Sequence, residues 1–238
     1  MRSPYGLDII ESCLTCKLRA DRLFCDLPDP SLKAFEAVKY STAYPKGAVL
    51  FVEGQSPRGI FVLCKGRAKL SVGSSDGKTL ILKIAEPGEV LGLSATVSGK
   101  PYELTAETLD PCQVNFVKRE DFLRFLKEHS EACFRVAEQL SDKYNTACRE
   151  IRSLGLSHSA GEKLAKLLLE WSGGPAEDHR EARLKMALTH EEIAQMIGTS
   201  RETVTRLFAE LKKRQIIQLK GSTLLIRNKG ALRSLATL

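Results

Sequence analysis

The sequence predicts an α+β protein in which an antiparallel β-roll precedes a helical C-terminal half. Three observations predict this order. Glycines punctuate short apolar segments between residues 44 and 118, an apolar stripe with helical spacing runs from residue 119, and residues 188–217 contain two amphipathic helical segments around a tight turn. With 238 residues, 43% of them apolar, the chain is long enough to bury a core in one large domain or two smaller ones.

The composition restricts the function classes. No apolar run is long enough to cross a bilayer, and the first residues lack the features of a secretory signal, so we expect a cytoplasmic protein without a membrane partner. Its seven cysteines are an odd number in a chain of this length, which favours free thiols or metal ligands over disulfides. The net charge is +7, and most of it falls in residues 157–238, which is compatible with a polyanionic partner.

Residues 1–30 are predicted to be a cysteine-bearing N-terminal segment, which ends where Pro28 and Pro30 interrupt any helix. Residues 31–118 are predicted to form the β-roll, after a short helix that starts near Ser31. Short apolar segments at turn-marked intervals are typical of antiparallel rolls and barrels. The predicted strands include residues 49–52, 60–63, 80–82 and 112–117.

Residues 119–156 are predicted to form one long amphipathic helix, since glycine is absent from most of this stretch and apolar residues recur every seven positions. Such a helix overruns a small roll, so its exposed seam is predicted to pair with the same seam of a second chain as a short coiled coil. The alternative is that the stripe packs only on its own domain. The residues predicted at this homodimer interface are Leu126, Cys133, Val136, Leu140, Ala147 and Ile151.

Residues 157–238 are predicted to form a winged helix-turn-helix domain. Thr189 and Glu192 have the spacing of a capping box, Gly198 supplies a tight turn, and Ser200 can cap the following helix. Residues 216–219 and 223–227 alternate as a two-stranded wing around a Gly-Ser turn. The alternative is an αα-hairpin with a purely structural role, which leaves the outward-facing charges of the second helix unexplained.

Those charges are suited to reading base edges. An arginine can donate two hydrogen bonds to guanine, and a glutamate can accept one from cytosine, so Arg201, Glu202 and Arg206 are predicted to contact bases of double-stranded DNA. The remaining residues predicted at the interface, mostly through phosphates, are Thr189, Ser200, Thr203, Thr205 and Lys220.

With these motifs in place, residues 31–238 resemble the CRP/FNR superfamily of bacterial transcription regulators. The most specific stretch runs from Ser200 to Arg206 and resembles the recognition helix of the cyclic-AMP receptor protein. The resemblance implies a cyclic-nucleotide-binding-like β-roll, a dimerisation helix and a winged helix-turn-helix. It also implies an activator that binds an inverted-repeat promoter site as a homodimer and contacts RNA polymerase.

The sensed signal is predicted from the cysteines. Cys13 and Cys16 have the Cys-x-x-Cys spacing that two ligands of one [4Fe-4S] cluster commonly use, and Cys25 is a third local candidate. Three local cysteines and a distant one resemble the oxygen-responsive branch of the superfamily, in which Cys112 falls at the position of the distant ligand. An iron–sulfur cluster responding to oxygen or redox state is therefore predicted; a zinc site, redox-active or incidental thiols, and no cofactor stay open.

Two positions in the roll argue against cyclic AMP as the ligand. The resemblance places Leu93 where a ribose-binding glutamate is expected, and Tyr102 and Glu103 where a phosphate-binding Arg-Ser pair is expected. A different small ligand in the roll stays open as an alternative. An enzyme is not expected, because phosphate-binding loops and catalytic histidine spacing are missing. An iron–sulfur electron carrier is the remaining alternative from another class, although it would have no use for a helix-turn-helix.

Overall fold

A computed structural model describes residues 4–16, 19, 25–156, 159–172, 182–185, 188–220 and 223–236. The chain divides into two compact units, Met1–Ala147 and Cys148–Leu238. Antiparallel sheets dominate the first unit, and helices with a small sheet form the second, so the predicted α+β class is confirmed. Among the described helices, none combines the length and the apolar character that a membrane span requires.

The N-terminal unit begins with a 3₁₀ turn at Pro4–Gly6 and a short helix before the roll. The described elements that follow are α1 (Asp29–Val38), β1 (Lys39–Tyr44), β2 (Val49–Phe51), β3 (Gly59–Lys65), β4 (Ala68–Gly73), β5 (Thr79–Ala85), β6 (Val90–Leu91), α2 (Leu93–Ser98), β7 (Thr105–Thr108), β8 (Cys112–Lys118), α3 (Arg119–Glu128) and α4 (Ser130–Leu156). The predicted strands correspond to β2, β3, β5 and β8, which confirms that part of the prediction.

The roll consists of two four-stranded antiparallel sheets, in the orders β1-β8-β3-β6 and β2-β7-β4-β5. Because successive side chains of a strand point to opposite faces, the first sheet has an inner and an outer face. On β3, Phe61 and Leu63 point inward and pack between the sheets, in what we call the sheet–sheet cluster, while Ile60 and Val62 point outward. The outward residues pack against α1, α3 and the start of α4 in what we call the helix–sheet cluster.

The single long helix predicted over residues 119–156 is corrected to two helices. His129 separates α3 from α4 and adopts an extended backbone conformation, with φ −129° and ψ 92°. Phe122 and Phe125 anchor α3 in the helix–sheet cluster, and Ala132 and Val136 anchor the start of α4 in the same cluster. The Ser31 hydroxyl lies 3.0 Å from Nδ1 of His129, so α1 also contacts this break.

The C-terminal unit contains a helix-turn-helix and a small sheet. Its described elements, apart from the end of α4, are α5 (Ala160–Trp171), β9 (Ala182–Lys185), α6 (His190–Ile197), α7 (Arg201–Lys213), β10 (Ile217–Lys220), β11 (Thr223–Ile226) and α8 (Lys229–Ala236). The predicted wing corresponds to β10 and β11, and β9 adds a third strand beside β11 that the sequence did not reveal. The predicted Gly221-Ser222 turn lies outside the described residues.

Candidate cysteine cavity and nucleic-acid interface

The N-terminal segment lies on the outer face of the first sheet. Gln113 is fully buried on β8, where its side chain accepts a hydrogen bond from the Ile10 amide at 2.8 Å and donates one to the Ile10 carbonyl at 2.6 Å. The Cys13 amide donates to the Glu36 carboxylate of α1 at 2.7 Å. These bonds to buried or half-buried groups hold the first cysteines of the segment against the roll.

Three of the predicted ligands, Cys13, Cys16 and Cys25, line one cavity under this segment. A fourth cysteine, Cys64 of β3, lines the same cavity, although it was left out of the predicted site. Part of the cavity is open to solvent, and most of its remaining wall is apolar. The other residues around it are Ile10, Leu32, Phe35, Val62, Leu63, Gly88 and Asn115.

Burial and the Lys39 ammonium have opposite effects on the pKa of the Cys13 thiol in the cavity. Burial raises the pKa of the Cys13 thiol, and the ammonium of Lys39, 3.3 Å from the sulfur, opposes this rise. Burial also raises the pKa of Cys64 to about 12, and the neighbouring thiols of Cys25, Cys13 and Cys16 contribute in the same direction. Without a bound cation the thiols of Cys13 and Cys64 therefore hold their protons at neutral pH, whereas a metal would displace them.

The predicted position of Cys112 with the other three cysteines is corrected by the structure. Cys112 is fully buried in the sheet–sheet cluster, on the face of β8 opposite to that of Gln113 and Asn115. Its thiol donates to the carbonyls of Arg67 and Asp110, at 3.3 and 3.2 Å. The alternation of side chains along a strand explains the wrong position. The side chain of residue 112 points to the inner face of the sheet, whereas the N-terminal segment lies on the outer face.

The four cysteines surround the cavity rather than meet at one point. Within the described ranges, no three His, Cys, Asp or Glu side chains are close enough together to hold a single metal ion. A bound group must therefore span the cavity, or the N-terminal segment must move inward. A four-iron cluster separates its ligands more widely than one ion does, and four thiolates are the donor set that it uses.

The helix-turn-helix follows the local signals of its sequence. The Thr189 hydroxyl accepts from the Glu192 amide at 3.2 Å, and the Glu192 carboxylate accepts from the Thr189 amide at 2.7 Å, so the predicted capping box is confirmed. Gly198 ends α6 with φ 65°, a left-handed conformation that glycine adopts without strain. Ser200 caps α7 by accepting from the Thr203 amide at 3.2 Å, as predicted.

The outer face of α7 presents the predicted base-reading residues. Arg201, Glu202 and Arg206 are exposed, and their side chains make no hydrogen bond or ion pair to any residue that the structure describes. They lie opposite Val204, Phe208 and Leu211, which are buried in the core of the unit.

The remaining residues predicted at the DNA interface have different surroundings. Thr205 is exposed, and its hydroxyl donates to the Arg201 carbonyl at 2.9 Å and lies 3.0 Å from Nδ1 of His190. Thr189, Ser200 and Thr203 lie at the helix N-termini, where free amides and the helix dipole favour phosphate. The side chain of Lys220 lies outside what the structure describes, although its backbone ends β10.

The predicted dimer seam is partly corrected. Val136 is buried in the helix–sheet cluster of its own roll, and Leu126 and Leu140 pack against the same cluster, so these residues stabilise the unit itself. Cys133, Ala147 and Ile151 are exposed on α4, as the prediction requires. The same exposed side also carries two apolar residues outside the predicted interface set, Ala137 and Tyr144, the latter 71% exposed.

Two family models match the chain. Residues 41–129 match the cyclic nucleotide-binding domain, and residues 162–235 match the Crp-like helix-turn-helix domain. A curated relative from Pasteurella multocida, named cAMP-activated global transcriptional regulator CRP, is 24% identical over 199 residues, which cover 83% of this chain and 95% of that protein.

Solved structures share the fold. The structure of FixK2 from Bradyrhizobium japonicum superposes with a TM-score of 0.72 at 23% identity, over 83% of this chain and 97% of that one. A CooA mutant from Carboxydothermus hydrogenoformans superposes with a TM-score of 0.70 at 21% identity, over 84% of this chain and 88% of that one. At these identities the structural likeness establishes the architecture and leaves the signal to be argued from the residues.

Proposed function

The chain belongs to the CRP/FNR superfamily of DNA-binding transcription regulators, and from this premise we propose that an iron–sulfur cluster at its N-terminal cysteines controls promoter binding in response to oxygen or redox state. Its relatives are transcriptional regulators rather than enzymes. In the proposal, a homodimer binds an inverted-repeat site and contacts RNA polymerase as an activator.

One observation carries the proposal: the cysteines and the start of α4 pack on the same apolar cluster. Cys13 and Cys25 contact the helix–sheet cluster from the N-terminal side, and Ala132 and Val136 of α4 are buried in it. The Arg135 guanidinium of α4 also lies 3.7 Å from the carboxylate of Asp26, the residue after Cys25. A change in the position of the cysteine segment therefore changes the packing of the helix that carries the dimer seam.

A bound cluster would supply a redox-sensitive cross-link between the N-terminal segment and the roll. The residues around the cavity would supply the other functions of the site. Cys13, Cys16 and Cys25 hold the segment, Lys39 offsets the negative charge of the thiolates, and the apolar wall of the cavity limits access of water. Such a switch acts only through different stabilities of two arrangements of α4, so the cross-linked state must favour the DNA-binding dimer.

Cyclic AMP is not the proposed signal, even though the named relatives are cAMP-activated. Leu93 is 1% exposed, in place of a ribose-binding carboxylate. The ring of Tyr102 is buried, stacks on Phe51 at 4.2 Å, and donates its hydroxyl to the Gly59 carbonyl at 2.8 Å. Glu103, held by the Ser94 hydroxyl at 2.7 Å, places a carboxylate where a nucleotide phosphate would need a cation.

The test is anaerobic purification of the full-length protein, followed by iron and acid-labile sulfide assays and a DNA-binding titration, each repeated after exposure to air. We expect about four irons and four sulfides per chain, and a loss of DNA affinity in air. The titration is repeated with cyclic AMP, which is expected to have no effect. Iron-free protein whose DNA affinity is the same with and without air would refute the proposal. Zinc found in its place would support the metal-site alternative.

The dimer seam gives a further prediction. In the homodimer, Tyr144→Glu places one carboxylate from each chain in the apolar seam. We expect it to raise the dimer dissociation constant at least about tenfold, because two like charges would lose their water next to each other. The matched control is Asn145→Glu, which adds the same charge at the next exposed position of α4, away from the seam. Sedimentation equilibrium measures both variants. Equal dimer affinities for the two would place the interface elsewhere.

A further inference from the structure

The cavity contains a cysteine that neither the spacing of the N-terminal motif nor the family resemblance indicates. Cys64 is the sixth of the seven residues of β3, an inner strand of its sheet. Ile60 and Val62 precede it on the outward face and belong to the helix–sheet cluster. Because side chains alternate between the two faces of a strand, the side chain of residue 64 points toward the N-terminal segment and not toward the interior of the roll.

The strand pairing supports this orientation. The register between β3 and β8 shifts between Leu63, which pairs with Val114, and Lys65, which pairs with Gln113, so Cys64 is the extra residue of a β-bulge. Bulges bend a strand and redirect a side chain, and they are frequent beside functional sites. The result here is a half-buried thiol that lines the cavity together with Cys13, Cys16 and Cys25.

Cys112 lacks the surroundings that a ligand needs. Its sulfur packs so closely on Gly66 that a Cβ atom at residue 66 would lie 2.5 Å from it. The thiol already donates to two backbone carbonyls, and the first sheet itself separates it from the N-terminal segment. Reaching the cavity would require β8 to turn over, which would expose Val114 and bury Gln113 and Asn115 in an apolar core.

We propose that Cys64, and not Cys112, is the fourth thiolate of the cysteine site, together with Cys13, Cys16 and Cys25. This inference rests on the proposed function for the identity of the bound group, an iron–sulfur cluster. The assignment gives the site two anchors on different elements: three ligands on the N-terminal segment and one on a central strand of the roll. Binding then ties the segment to the sheet, which is the connection that a switch at this site needs.

The experiment compares full-length wild type with Cys64→Ser, Cys64→Ala and Cys112→Ser, each loaded anaerobically with ferrous iron and sulfide and passed through a desalting column. The control is Cys148→Ser, since that thiol is exposed on α4, does not line the cavity and stands outside the predicted dimer interface. Bound iron, bound sulfide and the visible absorption spectrum are measured. Both Cys64 variants are expected to retain at most about one tenth of the cluster that wild type retains. Removing a residue that only supports a metal ligand already lowers metal affinity about tenfold or more, so the loss of a direct ligand is expected to lower it at least as much.

Cys112→Ser and Cys148→Ser are expected to keep the iron, the sulfide and the spectrum of the wild type. Circular dichroism and thermal unfolding of the metal-free proteins establish whether each variant is folded. If folded Cys112→Ser loses the cluster and the Cys64 variants keep it, the assignment is wrong.

Failure of the proposed function is distinguishable from failure of this inference. If wild type binds no iron, the iron–sulfur proposal fails, and the same variants are then titrated with Co²⁺, whose thiolate complexes absorb strongly. Loss of this absorption in both Cys64 variants and its retention in Cys112→Ser would support Cys64 as a ligand. Equal absorption in wild type and the Cys64 variants, or none in wild type, would overturn the inference.

Discussion

Replacing Arg206 by alanine is expected to weaken binding to the inverted-repeat site roughly 30-fold or more, because a two-fold dimer loses about 1–3 kcal/mol in each half-site. The structure supplies the physical reason. Arg206 projects from the exposed face of α7 without a partner among the described residues, so its guanidinium is available to guanine. Free and bound protein are compared by fluorescence anisotropy, with salt concentration held constant.

Arg206→Lys is the matched control for charge. Lysine keeps the cation but loses the planar fork that donates two parallel hydrogen bonds. We therefore expect this variant to bind scrambled DNA as the wild type does and to lose most of the preference for the selected site. If Arg206→Ala weakens binding to scrambled and selected DNA by the same factor, Arg206 contacts phosphate and does not read a base.

Replacing Phe208 by alanine is expected to lower the free energy of unfolding of the C-terminal unit by about 3–5 kcal/mol, as other large-to-small core changes do. Phe208 is 1% exposed at the centre of the core that joins α5, α6, α7 and the small sheet. Its ring also stacks on His190 with centroids 4.9 Å apart. Chemical denaturation followed by circular dichroism measures the loss, and only the transition of this unit is expected to move.

The comparison for Phe208 is Glu210→Ala on the same helix. The Glu210 side chain is 59% exposed and lies 3.9 Å from Arg214, so its removal is expected to change stability by less than about 0.5 kcal/mol. Both Phe208→Ala and Arg206→Ala are expected to weaken DNA binding, but only the first is expected to lower the unfolding midpoint. A Phe208→Ala protein with wild-type stability would contradict the core assignment.

The DNA-binding half of the protein is predictable from its sequence, since its signals are local. Thr189 and Glu192 stand three residues apart, and Gly198 supplies the one conformation that the turn needs. Each signal acts through backbone groups within one helical turn, so the sequence spacing specifies the geometry. The third strand, β9, was missed because it is short and far along the chain from its partner β11.

The dimer helix shows where helical periodicity stops being informative. A seven-residue repeat runs through Leu126, Cys133, Leu140 and Ala147, but it does not distinguish a face that packs on its own roll from a face left for a partner. The structure assigns Leu126 and Leu140 to the helix–sheet cluster, and it interrupts the helix at His129. Burial in a monomer and burial in a dimer select the same residue types, so only the packing separates them.

The sequence alone predicted the superfamily and three of the four cysteines that line the cavity. The fourth was decided only by the tertiary structure. Cys64 and Cys112 both lie in apolar strand-like runs, and the sequence does not show which face of each strand meets the N-terminal segment. That choice depends on the pairing of β3 with β8 and on the bulge at Cys64, because a shift of one residue turns a side chain from one face of a sheet to the other.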